Sequence, residues 1–159
     1  MKLLKYLVPI VLLVAVTGCN QTEDPATLPA ISNPSALAAS VTVVEVDIIP
    51  HNPANRINCA GKNRLISVAI ITTDDFDAMD VDHATVNFEG AYEAHIDDET
   101  GEPVRHTIDV NGDGDLDLVL HFLYRKTDLN CDSKEGCLTG EIYLGGDIYG
   151  CDFIKMFHK

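Results

Sequence analysis

The chain has 159 residues, with 25 acidic and 11 basic side chains and a formal charge of −14. A chain this acidic lacks the positive field that nucleic acid or anionic lipid requires, so nucleic-acid partners are excluded. Tryptophan is absent, no internal repeat stands out, and the stretch after residue 40 has the length of one domain with one core.

Residues 1–18 read as a signal peptide. Lys2 and Lys5 form a positive front, and Leu7 to Val16 is apolar apart from Pro9. That run is shorter than the roughly 20 apolar residues a spanning helix needs. The peptide ends in Val16-Thr17-Gly18-Cys19, which resembles a bacterial lipobox. The resemblance implies that Cys19 becomes the acylated N-terminus of the mature protein and that the membrane is a partner through this anchor. Acyl chains contribute about 0.8 kcal/mol per buried methylene, so several together hold firmly. An ordinary signal peptide cut nearby is the alternative. In the lipoproteins this motif resembles, an Asp after the cysteine often signals inner-membrane retention; Asn20 and Gln21 follow here, so the resemblance implies the outer membrane of a bacterial envelope. Loss of Lys2 and Lys5 moves the charge from −14 to −16.

Residues 19–40 carry Pro25, Pro29 and Pro34 among Thr, Ser and Ala, the composition of a flexible tether. Its reach is roughly 25 Å by the random-coil rule.

Residues 41–159 are expected to form the folded domain. Val43 to Ile49 alternates with a period of two. Leu65 to Thr72 is nearly continuous apolar and β-branched, as a central strand is. Asp74 to Asp80 predicts one helical turn. Thr85 to Phe88, Ala91 to His95 and Val104 to Ile108 are short strand candidates, and Leu116 to Leu123 is a longer one. Leu138 to Leu144 and Ile148 to Phe157 flank Gly145-Gly146-Asp147, a hairpin signal. Short strands with Gly, Asp and Pro turns predict an all-β fold, an antiparallel β-sandwich of Ig-like kind.

Cys59, Cys131, Cys137 and Cys151 form an even set in an exported chain, which predicts two disulfides. Three connectivities are allowed. The expectation is Cys131–Cys137, closing a short polar loop, with Cys59–Cys151 tying an early segment to the last strand. The spacings fit no zinc pattern.

The main candidate site is Asp109-Val110-Asn111-Gly112-Asp113-Gly114-Asp115-Leu116-Asp117. Oxygen-bearing side chains recur at every second residue. Ca2+ takes six to eight oxygens at roughly 2.3–2.6 Å, and a loop curled by glycine can supply them. Two carboxylates about 4 Å apart repel by about 1 kcal/mol in water and about 4 kcal/mol at an effective dielectric of 20, so this run favours a bound cation, with a splayed, solvated acidic turn as the alternative. The first half matches the EF-hand pattern, but position twelve is Leu120 where an EF-hand needs Glu. Asp117, at position nine, runs directly into a strand. A loop of this kind resembles those of integrin-type FG-GAP blades. The resemblance implies side-chain ligation by Asp109, Asn111, Asp113 and Asp117 and backbone ligation by Asp115.

A wider resemblance runs through Val46-Asp47-Ile48-Ile49-Pro50, Ile66 to Asp77, Val81 to Phe88, Asp109 to Phe122, Leu138-Thr139-Gly140-Glu141 and Ile148 to Asp152. These stretches, in this order, are similar to a recurrent accessory module of bacterial and archaeal exported proteins. It implies a secreted or surface location, and no particular enzymatic activity follows from it. The chain departs from it at Pro50-His51-Asn52-Pro53, where the module often has Lys-Pro-Gly, and in carrying Cys59 and Cys151.

The other clusters have plainer readings. Asp74, Asp75, Asp77, Asp80 and Asp82 read as a solvated, Asp-capped turn, with a further cation site as the alternative. Asp97, Asp98, Glu99 and Glu102 around Gly101 read as an acidic hairpin tip. Six histidines, at 51, 83, 95, 106, 121 and 158, read as scattered surface groups. His95 and His106 flank the acidic tip and would meet if their strands paired, and such a pair with a carboxylate suits zinc or copper. No nucleophile elbow, zincin helix or phosphate loop occurs.

Together these readings give a calcium-stabilised, surface-anchored lipoprotein module. A glycan or protein ligand would meet it near the calcium loop, with Tyr92, Tyr124, Tyr143 and Tyr149 as contact candidates, or its role is structural in the envelope. The alternatives are a metal-dependent hydrolase and a carbohydrate-active accessory domain.

Overall fold

The computed structural model describes residues 40–61 and 63–159. The signal peptide, Cys19 and the tether up to residue 39 lie outside these. Ten strands follow in order: β1 Val41–Val43, β2 Val46–Ile48, β3 Arg56–Asn58, β4 Leu65–Ile70, β5 Val81–Phe88, β6 His106–Ile108, β7 Asp117–Leu123, β8 Glu135–Ile142, β9 Asp147–Phe153 and β10 Lys155–Phe157. Among the described residues there is no α-helix, so none is long and apolar enough to cross a membrane.

The strands form a sheet β1-β9-β8-β5, a sheet β2-β4-β7-β6 and a pair β10-β3. Most pairings are antiparallel, as expected, but β1–β9 and β10–β3 are parallel. The predicted strand Val43 to Ile49 is in fact two. The chain leaves one sheet at Val44, whose N–H donates to the Tyr149 carbonyl. It enters the other at Glu45, whose carbonyl accepts from Ile71. Val44, Val46 and Ile48 all stay buried, so the alternation runs through the switch unbroken.

One apolar cluster draws on both four-stranded sheets. Val86, Phe88, Leu138 and Ile148 come from the first; Ile48, Ile66, Val68, Ile70, Leu118, Leu120 and Phe122 come from the second. The Phe88 and Phe122 rings meet at 5.2 Å between centroids, within the favourable range for tilted aromatic pairs. Strand β4 lies between β2 and β7. Its opposite face carries a smaller cluster of Ala69, Ile71 and Val119, packed by Val110. This explains the continuous apolar sequence there: both faces of β4 are covered.

The four cysteines among the described residues are disulfide-bonded, but the pairing differs from expectation. The bonds are Cys59–Cys131 and Cys137–Cys151, with Cα separations of 5.4 and 4.1 Å. The cause is strand register. Cys137 on β8 lies directly opposite Cys151 on β9, which leaves Cys131 to Cys59. Two disulfides indicate folding in an oxidising, extracytoplasmic compartment.

The helical turn expected at Asp74 to Asp80 is a single 3-10 turn, Ala78–Asp80, capped by the Asp77 carboxylate accepting the Met79 N–H. Ala91 to His95 forms no extended strand and joins its neighbours by isolated bridges, Phe88↔Ala91 and Glu93↔Phe122. The Pro50-His51-Asn52-Pro53 stretch is two successive turns, Asn52 N–H to Ile49 carbonyl and Asn55 N–H to Asn52 carbonyl. Ile49, at φ 58°, is an unusual β-branched residue in the left-handed region.

Candidate functional site

The acidic loop connects β6 to β7. Its curl comes from Gly112 and Gly114, at φ 83° and 103°. A Cβ at either would meet nothing within 4 Å, so glycine is required here for conformation and not for space. The Asp109 carboxylate sits inside the curl and accepts from Gly112 N–H at 2.6 Å and Gly114 N–H at 3.0 Å. Asn111 Nδ2 donates to Asp113 Oδ2 at 2.7 Å, and Asp113 Oδ1 accepts from the Asp115 N–H. These bonds, that from Asp115 first, hold the Asp113 carboxyl below the usual aspartate range.

Asp117 behaves differently. It is 0% exposed, and its oxygens accept from the Thr72 N–H at 2.9 Å and the Val110 N–H at 2.8 Å. One carboxylate therefore joins β7, the loop and the end of β4. A buried carboxylate is costly unless it is compensated; the two amide bonds to Asp117 are charge-assisted, but neither donor carries a positive charge. Each of its oxygens keeps a second lone pair. Asp109 lies within the curl, Asn111, Asp113 and Asp115 are exposed, and only Asp117 is buried, at the start of β7. The carboxylates of Asp109, Asp113 and Asp117 do not all lie within 4.8 Å of one another, so the loop does not bring its predicted ligands together as it stands. These are oxygen donors of the kind Ca2+ takes.

Beside the loop, an open cleft is lined by Asp47, Asn55, Asn111 and Asp152. Burial, followed by the nearby Asp152, raises the Asp47 carboxyl above its usual range. Asp152 Oδ2 accepts from the Ile48 N–H and from Asn55 Nδ2, tying β9 to β2 and to the segment before β3.

A second constellation lies on β7 beyond Asp117. His106 on β6 is opposite Val119, two residues from His121 on the same face. The Ala94 N–H donates to the His121 carbonyl, which brings His95 alongside. The three imidazoles meet, with His95 Nδ1 2.8 Å from His106 Nε2 and the His106 and His121 ring centroids 4.9 Å apart. The expectation of scattered surface histidines fails here. Sequence reasoning brought His95 and His106 together only conditionally; it missed His121 as the third member and Glu93 beneath them. Glu93 is 7% exposed and accepts the His95 N–H and the His121 N–H on its two oxygens. The signal for Glu93 was its phase with Ala91 in a strand candidate, which points a charged residue inward. Burial first, opposed by Glu93 and reinforced by the other two rings, pushes the His121 imidazole below its usual range.

The remaining acids match their plain readings. Asp77 and Asp82 cap local turns, accepting from Met79 and Ala84. Asp97 accepts from Thr100 and Glu99, and these bonds, those from Thr100 first, lower its carboxyl in the acidic tip. Glu135, Cys137 and Cys151 lie together, but both sulfurs are committed to a disulfide. Tyr92, Tyr143 and Tyr149 are exposed, whereas Tyr124 is buried in the core and is no contact candidate.

The chain matches no protein-family model, no curated protein and no solved structure, so its chemistry rests on its own residues.

Proposed function

We propose that this chain is a calcium-stabilised module on a bacterial cell envelope, an Ig-like β-sandwich held by a lipid on Cys19, in the outer membrane, and that it serves in binding or adhesion. The observation that carries the reading is the curled loop, with the Asp109 carboxylate accepting from Gly112 and Gly114 inside it and the buried Asp117 accepting from Val110 at its far end. Calcium on the spare lone pairs of these oxygens would supply the positive charge that Asp117 lacks. Because the loop ends where β7 begins, the ion would couple the loop's geometry to the central sheet. Ile108 and Leu116 flank the loop and are exposed, which gives a glycan or protein ligand an apolar contact beside the ion. The lipobox resemblance at Val16 to Cys19 supports the anchor, and the resemblance to an accessory module of exported proteins supports a surface location.

The test is thermal unfolding of the chain from Asn20, which keeps every core residue between Val44 and Ile154. Runs in EGTA and in millimolar CaCl2 are compared. Binding the folded state at a hundredfold excess over Kd stabilises by about 2.7 kcal/mol. For a domain of this size that raises Tm by about 10 °C. Asp113→Ala is expected to melt as the parent does in EGTA and to lose most of the calcium response. A parent that melts identically in both buffers would sink the reading.

A further inference from the structure

We propose that His95, His106 and His121 together hold one divalent transition-metal ion of the Zn2+ or Cu2+ class, at a site separate from the acidic loop. Imidazole nitrogen suits these borderline ions, whereas calcium takes hard oxygen donors. His121 lies four residues along β7 from Asp117, about 13 Å at the usual strand rise.

The three rings are close enough to share one ion. One ligand nitrogen from each ring lies within 4.8 Å of the others, and the closest pair is 2.8 Å apart. A tetrahedral ion with nitrogens at 2.0–2.1 Å sets them about 3.3 Å apart, inside this range. An ion would replace the His95 Nδ1–His106 Nε2 hydrogen bond, and the two rings would turn to present both nitrogens to it. The His121 ring stands nearly perpendicular to that of His106, at 88°, whereas the His95 and His106 rings stack at 25° with their nearest nitrogens hydrogen-bonded.

Two further observations point to a ligand. His121 Nδ1 is buried and has no hydrogen-bond partner, an exception to the rule that buried polar atoms are paired. Glu93, itself buried, fixes the backbone of His95 and of His121 through its two oxygens at 2.6 and 2.7 Å. Its negative charge lies beneath three groups that would share a cation. Glu93 is a positioning residue in this arrangement and not a ligand. His95 is exposed, so the ion has an entry path and keeps a position open to water.

The chain from Asn20 is titrated with ZnCl2 by calorimetry, in buffer containing calcium so that the acidic loop is not a competing acceptor. One equivalent is expected to bind with micromolar or tighter affinity. His95→Ala with His106→Ala should weaken binding by at least about a hundredfold, since loss of one hydrogen bond supporting a ligand already costs about 10–100-fold. His106→Gln, on a short edge strand, gives a gentler variant with the same expected direction. Asp109→Asn with Asp113→Asn should leave zinc binding unchanged, which separates this site from the calcium reading whether or not that reading holds. Replacing zinc by Co2+ should give visible d–d bands that vanish in the histidine variants. A parent that binds no zinc, histidine variants that bind as the parent does, or loss of binding in the loop variant would each overturn the proposal.

Discussion

Several carboxylates in this fold act as joints between segments, Asp117, Glu93 and Asp152 among them, and each of these is held by amide hydrogens. Asp117 takes the N–H groups of Thr72 and Val110, Glu93 those of His95 and His121, and Asp152 those of Ile48 and Phe153. Charge-assisted bonds of this kind are stronger than neutral ones, and they fix loops that the strand ladders do not reach. Asp47 shows the cost of an acid placed near others. Burial and the neighbouring Asp152 raise its carboxyl above the usual range, with His51 only partly opposing. A folded value above the unfolded one means that the native state keeps a proton the unfolded chain has lost. Stability therefore falls as pH rises through the folded value, and at neutral pH the ionised Asp47 is a net cost. Asp47→Asn is expected to raise Tm at neutral pH in EGTA. The gain should shrink on acidification and vanish below the unfolded aspartate value, where Asp47 is protonated in both states. Melting curves of parent and variant across this range check it; an Asn variant less stable at neutral pH would mean that Asp47 has a favourable cationic partner.

At the scale of elements, the crossing from β1 to β2 depends on close contact with β9. A Cβ built on Gly150 would lie 2.6 Å from the Val44 carbonyl oxygen and 2.5 Å from Val46 Cγ2. The first obstacle is backbone and cannot rotate away. Gly150→Ala is expected to destabilise by about 1–3 kcal/mol, the usual cost of overpacking. Gly140→Ala meets only a side-chain methyl at 3.1 Å as its nearest atom and should cost less. Urea midpoints of the two variants test the order, and a Gly150→Ala protein as stable as the parent would mean that β2 is free to move off β9. The same crossing marks where sequence stops being informative. Leu116 to Leu123 was legible to within one residue, because a half-buried strand writes its period directly into the chain. The switch at Val44 to Val46 was not, since the inward alternation continues across it. Strand β3 has a single buried apolar residue, Ile57, and leaves no pattern to read. The acidic loop was legible because its donors are local. The histidine cluster was not, because its members come from three segments and meet only through the register of β6 on β7 and the Glu93↔Phe122 bridge.

At the scale of the whole molecule, the two disulfides do different work. Cys137–Cys151 spans 14 residues and fastens two strands that already pair along most of their length. Cys59–Cys131 spans 72 residues and ties the turn after β3, which belongs to the small β10-β3 pair, to the segment before β8. Pairing was illegible for the same reason as the histidines: connectivity follows from cross-strand register, and four cysteine positions do not encode it. Its consequence is measurable. In the chain-entropy model, a crosslink stabilises by limiting the unfolded ensemble, by about 3 kcal/mol for the shorter loop and about 4 kcal/mol for the longer. Cys59→Ser with Cys131→Ser should therefore lower the urea unfolding free energy more than Cys137→Ser with Cys151→Ser. Both comparisons belong in excess calcium, so that any stabilisation by the ion is common to them. Equal or reversed costs would mean that the 72-residue segment keeps residual structure after unfolding, so that the long crosslink has less entropy to remove.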